Sequence, residues 1–154
     1  MAQIQKLEFQ TELKCPADKF YGMFKQNLTQ LTKYFPETYE SIQVIEGDGP
    51  SVGSVRFWNY ELDGQSFTCK DRTMVVDDEK RSMIWSIFEG EVMNLYNTLE
   101  LKLQVSTSPK GKGSLVKWTV EFEKANEDAP IPTAYINLTE RISKGMDLHL
   151  LKQA

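Results

Sequence analysis

The chain has 154 residues, 40% of them apolar and 26% charged, and a formal net charge of −4. This fits one globular domain with one sizeable core. The mild acidity disfavours nonspecific binding to nucleic acid or anionic lipid, and no apolar run approaches the roughly 20 residues that span a bilayer. The opening Met1-Ala2-Gln3-Ile4-Gln5-Lys6 lacks the apolar core of a secretory signal. Two cysteines are too few for a disulfide framework. Cys15 and Cys69 read as reduced thiols, so a cytoplasmic location is expected.

Apolar–polar alternation, the mark of a half-buried strand, opens the chain. Over 4–13 it puts Leu7, Phe9 and Leu13 on one face, with Thr11 the polar exception. Pro16 then suits the first turn of a helix, where its missing N–H costs nothing. Phe20, Phe24 and Leu28 recur at helical spacing, with Tyr21 and Leu31 alongside. Two short helices, broken near 27–29 and ended by Pro36, are expected rather than one long one. From Ile42 the period returns to two, and strands are predicted over 41–46, 55–62, 66–76 and 82–89. Asp63-Gly64 joins the second and third of these in a hairpin, since both residues tolerate positive φ. Asp77-Asp78-Glu79-Lys80 forms a solvated turn before the fourth. Leu99, Leu101, Leu103 and Val105 alternate with Glu100, Lys102 and Gln104 in a further strand. Pro109 to Gly113 turns into a last strand over 113–124. A long helix follows over 132–152, with Tyr135, Leu138, Ile142 and Met146 as its apolar stripe. The sum is an α+β layout of seven strands, two short helices and one long helix, in which one sheet must bury that long helix.

Metal and nucleophile chemistry have little to build on. His149 is the only histidine, and two distant cysteines do not make a zinc site. No Ser-His-Asp or Cys-His arrangement can be composed. Neither a metal nor a cofactor is expected. The loop Gly47-Asp48-Gly49-Pro50-Ser51-Val52-Gly53 has the glycines of a phosphate cradle, but not the Gly-Lys-Ser/Thr ending of a P-loop. It also lies between strands, without the following helix that lends such loops their anion affinity, and it reads as structural. His149 extends the stripe through Ile142 and Met146, near the C-terminal end of the last helix, where the dipole favours a cation.

Several short motifs, weak singly, gain force from their order and spacing. They are Glu46-Gly47-Asp48, Val52-Gly53-Ser54-Val55, Trp58-Asn59-Tyr60-Glu61-Leu62-Asp63-Gly64, Phe88-Glu89-Gly90-Glu91-Val92-Met93, Gly113-Ser114-Leu115-Val116-Lys117-Trp118, Glu123-Lys124 and Asp147-Leu148-His149-Leu150-Leu151-Lys152. Over essentially its whole length the chain resembles the major latex protein group of the plant birch-pollen-allergen superfamily. The resemblance implies the helix-grip fold: a seven-stranded curved antiparallel sheet wrapped around a long C-terminal helix, with two short helices after the first strand. It implies a single ligand-binding domain over 1–154 and a large apolar cavity between sheet and helix. Members of the group bind hydrophobic or amphipathic plant metabolites there, and the resemblance carries an expectation of a defence or stress role. A hydrophobic small molecule is therefore the expected partner, with no nucleic acid and no membrane.

Mapped by the resemblance, Phe24, Trp58, Tyr60, Met83, Trp85 and Ile87 face the cavity, joined by Leu101, Leu103, Tyr135, Leu138 and Ile142. The hydroxyls of Tyr60 and Tyr135 are polar handles for a ligand. Lys117 aligns with a lysine that alkaloid-forming enzymes of the superfamily use as a general acid/base. An ammonium held in an apolar pocket gives up its proton more readily, so Lys117, Tyr60 and Tyr135 are the candidates for catalytic roles. Two observations oppose Lys117. Alternation puts Val116, Trp118, Val120 and Phe122 on the apolar face, which sends Lys117 outward. The catalytic tyrosine and glutamate of those enzymes fall near Leu101 and Leu103 here. A carrier is the favoured reading; a cofactor-free cyclase or isomerase of terpenoid or alkaloid intermediates is the alternative.

Overall fold

The computed structural model describes residues 3–152. The first strand, β1 (Ile4–Leu13), leads into α1 (Ala17–Gln26), a 3₁₀ turn (Leu28–Gln30) and α2 (Leu31–Tyr34). A meander follows through β2 (Tyr39–Glu46), β3 (Val55–Leu62), β4 (Gln65–Asp77), β5 (Ser82–Gly90), β6 (Tyr96–Thr107) and β7 (Ser114–Lys124), and α3 (Thr133–Lys152) closes the described chain. The strands form one antiparallel sheet in the order β1-β7-β6-β5-β4-β3-β2. The first two strands of the chain therefore sit at opposite edges, and the segment from α1 to α2 crosses between them.

The expected elements are present, with shifted bounds. Pro16 caps α1 instead of opening it: its φ of −63° and ψ of 147° are extended, and its carbonyl accepts the N–H groups of Lys19 and Phe20. Strand β2 starts at Tyr39, two residues earlier than the alternation suggests, and β6 extends beyond its leucine run at both ends. A 3₁₀ turn over Glu91–Asn94 was not foreseen. There Gly90 adopts φ 134°, and a Cβ on it would lie 2.4 Å from the Thr68 carbonyl oxygen, so the chain passes too close to β4 for any side chain. The Asp63-Gly64 turn forms as read, with φ of 52° and 80° and Leu62 paired to Gln65.

Strand β7 shows how the sheet chooses its faces. Val116, Trp118, Val120 and Phe122 are buried, while Leu115, Lys117, Thr119 and Glu121 retain contact with solvent. The inner face meets the α3 stripe, where Leu138, Ile142, Met146 and Leu150 are buried. Each such side chain contributes about 1.5–3 kcal/mol on leaving water. Polar ties fix the docking. The Trp118 indole N–H donates to Ser143 Oγ at 2.7 Å. Asp147 accepts the backbone N–H groups of Lys14 at 3.1 Å and Cys15 at 2.8 Å, clasping α3 to the end of β1. Phe35 lies against Gly145, whose missing Cβ would stand 2.6 Å from the ring. His149, in the last turn of α3, stacks on Tyr34 with 4.5 Å between ring centroids.

The glycine-bearing loop 47–53 satisfies itself. Asp48 accepts the Ser51 N–H at 2.9 Å and the Ser51 hydroxyl at 2.8 Å, Ser54 Oγ accepts the Gly49 N–H at 3.1 Å, and the Gly49 carbonyl accepts from Arg56 at 2.6 Å. Strand β3 follows it directly, so no helix opens from the loop.

Candidate functional site

Between the inner face of the sheet and α3 lies a cavity of about 100 Å³. Strand register builds its wall. Trp58 pairs with Cys69, Asp71 with Ile87, and Trp85 with Leu101, so these inward positions run side by side from β3 to β6. Tyr60 adds to the β3 side and Phe24 reaches in from α1. Tyr135, Leu138 and Ile142 face the same space from α3.

Nine of the eleven residues expected to face the cavity are thus brought together. Met83 and Leu103 are not among them. They pair with each other across β5 and β6, one inward position beyond Trp85 and Leu101, and are fully packed. The reason is a cluster of rings at that level. Trp85 stacks on Trp118 at 6.0 Å between centroids, and Phe24 meets Trp118 edge-on at 5.3 Å. The same rings leave the cavity smaller than the resemblance suggests, below the roughly 300–1,000 Å³ of ordinary small-molecule pockets. A guest of that size requires side chains to move.

Lys117 takes no part. It stands on the outer face of β7, its side chain 45% exposed, in an ion pair with Glu8 of β1 at 2.8 Å. That ammonium holds the Glu8 carboxyl below the usual carboxylate range. The candidate acid/base role for Lys117 is therefore corrected: its neighbours on β7 pack inward, and period-two geometry turns it away from the cavity.

Tyr60 and Tyr135 meet across the cavity, their hydroxyl oxygens 2.5 Å apart. Burial is the main cause that pushes both phenols above their ordinary range, so both hold their protons at neutral pH. The bond links β3 to α3.

Sequence reasoning missed other parts of the wall: Leu28 and Leu31 beside α1, Tyr39 of β2, Cys69 and Asp71 of β4, Trp118 of β7 and Thr139 of α3. Some signals existed. Trp118 lies on the apolar face of β7, and counting back from the two-residue turn sets Cys69 opposite Trp58 and Asp71 opposite Arg56. The Cys69 thiol is pushed above its ordinary range by burial. Asp71 is the unexpected member, a carboxyl only 5% exposed on an otherwise greasy wall. It accepts the Trp58 indole N–H at 2.9 Å, and burial pushes its pKa up to about 6 against the opposing pull of that bond and of Arg56. Arg56 is buried too, but its guanidinium is directed to the Gly49 carbonyl and, at 3.3 Å, to Thr73 Oγ1.

The sequence model of the pathogenesis-related protein Bet v 1 family matches residues 2–153. The chain belongs to the Bet v 1 family. Among Bet v 1 relatives, major latex protein 146 of Papaver somniferum is 35% identical over 147 residues, covering 96% of this chain and 91% of that protein. A crystal structure of ginseng major latex-like protein 151 from Panax ginseng superimposes with a TM-score of 0.90 at 28% identity, covering 96% of this chain and 98% of that one. Norcoclaurine synthase from Thalictrum flavum superimposes with a TM-score of 0.69 at 18% identity, over 82% of this chain and 73% of that one, which speaks for the shared fold alone. The helix-grip architecture of the family is the one described above. No helix among the described residues is long and apolar enough to cross a membrane.

Proposed function

We propose that this Bet v 1 family member binds a hydrophobic small molecule between its sheet and α3, and acts as a carrier. The observation that bears the reading is the aromatic and aliphatic wall: Trp58, Trp85, Leu101, Leu138 and Ile142 converge on space they do not fill. Binding draws chiefly on removal of apolar surface from water, at about 25 cal/mol per Å² before association costs. The hydroxyl pair of Tyr60 and Tyr135 supplies an orienting polar group. We also place the protein inside the cell. Cys15 and Cys69 are free and buried, which suits a reducing compartment.

The test uses an uncharged fluorophore, 1-aminoanthracene, whose emission rises in apolar surroundings. Wild type is expected to bind it, and Leu138→Trp, which fills the cavity from α3, to bind at least tenfold more weakly with unchanged circular dichroism. Absence of binding to wild type, or equal binding by the variant, refutes the reading.

One observation favours a second reading, a cofactor-free cyclase or isomerase. The Asp71 carboxyl lies on the cavity wall with its pKa pushed up to about 6, so it can take and return a proton near neutral pH. In that case Asp71→Asn abolishes turnover of a labile intermediate while the fluorophore still binds. Turnover that survives the substitution removes Asp71 from the reaction.

A further inference from the structure

A buried polar group without a partner needs an explanation. Among the described residues, three buried side-chain polar atoms have none: Arg56 Nε, Trp85 Nε1 and Ser114 Oγ. Of these, only Trp85 belongs to the cavity wall. Most other polar groups on that wall are engaged. Trp58 donates to Asp71, Trp118 donates to Ser143, the Thr139 hydroxyl donates to the Ile136 carbonyl at 2.7 Å, and the Tyr60 and Tyr135 hydroxyls bond each other. The Trp85 ring is firmly held: it is 5% exposed, stacked on Trp118, and flanked across the strands by Thr73 and Leu101. The Thr73 hydroxyl is already the acceptor for Arg56. An indole N–H can only donate. Trp85 therefore carries an unspent donor on a closely packed ring of the wall, where the Tyr39 hydroxyl and the one proton left over by the Tyr60–Tyr135 bond are the other donors.

Resting on the cavity reading above, we propose that the Trp85 indole N–H is the polar anchor of the site, and that the guest is an uncharged ring compound presenting a carbonyl oxygen to it. A negative charge is disfavoured because the Asp71 carboxylate shares the wall. The anchor dictates an order of affinities. Moving a carbonyl out of water with no partner is costly, so a cavity without a donor prefers a hydrocarbon to its ketone. An unpaired donor on the wall reverses that preference.

The pair 1-indanone and indane differs in that one group. Titrated into the full chain and followed by NMR, indanone is expected to bind about five- to tenfold more tightly than indane, the worth of one neutral hydrogen bond to a buried donor. Trp85→Phe keeps an aromatic ring without the N–H. It should retain indane binding and lose the preference. The chain has three tryptophans, so ¹H–¹⁵N spectra hold three indole signals, and the one missing from Trp85→Phe identifies Trp85. That signal should move downfield with indanone and not with indane. Equal or tighter binding of indane, or a preference that survives in Trp85→Phe, overturns the anchor and leaves the cavity reading standing. If Trp85→Phe does not fold, selective ¹⁵N labelling assigns the signal in wild type, and one unmoved by indanone overturns the anchor. Failure of both probes to bind overturns the anchor and the cavity reading together.

Discussion

Substituting Asp71 by Asn should make the protein more stable at neutral pH and no more stable in acid. The folded-state pKa of Asp71 is raised from an ordinary 3.8 to about 6, chiefly by burial. A carboxyl with a raised value holds its proton longer in the folded chain than in the unfolded one. Its stabilising share is therefore complete below about pH 4 and is lost as pH rises through 6. The interval corresponds to about 3 kcal/mol at 1.36 kcal/mol per pH unit. Asn keeps an acceptor for the Trp58 N–H and never ionises. The carboxylates with lowered values, Glu8, Asp48 and Asp78, are common to both proteins and cancel in the comparison. Urea unfolding followed by tryptophan fluorescence, at intervals from pH 3.5 to 8, should show the stability gap between Asp71→Asn and wild type opening between pH 4 and 6 and then holding near 3 kcal/mol. A gap that stays constant over this range, or one that closes as pH rises, refutes the reasoning.

The Asp147 clasp makes a second prediction. Asp147→Ala strands the N–H groups of Lys14 and Cys15, the latter buried, at a cost of about 2–4 kcal/mol. Calorimetry should show a fall in Tm of about 5–15 °C for a domain of this size, and Asp147→Asn, which keeps one acceptor oxygen, should fall by less than half as much. Lys117→Ala removes a solvent-exposed ion pair on the outer face of the sheet. It should leave the unfolding curve and the affinity for 1-aminoanthracene within twofold of wild type, and a larger loss of affinity would place Lys117 back in the site.

The fold was largely readable because local patterns agreed with one another. Alternation in β7 named the inner face, and the Asp63-Gly64 turn fixed the β3–β4 register to the residue. The helical spacing of Leu138, Ile142 and Met146 named the face of α3 that docks. The site was less readable because a void is a property of volumes and not of patterns. Met83 and Leu103 carry the same inward signature as Trp85 and Leu101, yet rings from β7 and α1 fill the space before them. Asp71 escaped notice for a different reason. Between Lys70 and Arg72 it reads as one more charge on a solvated strand, and only the tertiary arrangement supplies Trp58 and Arg56 to make its burial tolerable. The loss of a partner at Trp85 Nε1 is likewise invisible without coordinates.

The hydrogen bond from Cys15 to Asp147 joins residues 132 apart in sequence, and Ile4 pairs with Glu123. During synthesis, the earliest strand must wait for the last one before it can pair. The hairpins between β2 and β6 need only short loops to close, whereas this junction needs the long loop, whose closure costs more chain entropy. Until it forms, the greasy inner wall lies open to any passing apolar surface. The same junction ties the sheet's outermost strand to the helix that roofs the hollow. On the carrier reading, a guest that entered by lifting that roof would also loosen an edge of the wall, so loading the protein and unravelling it would begin along a common path.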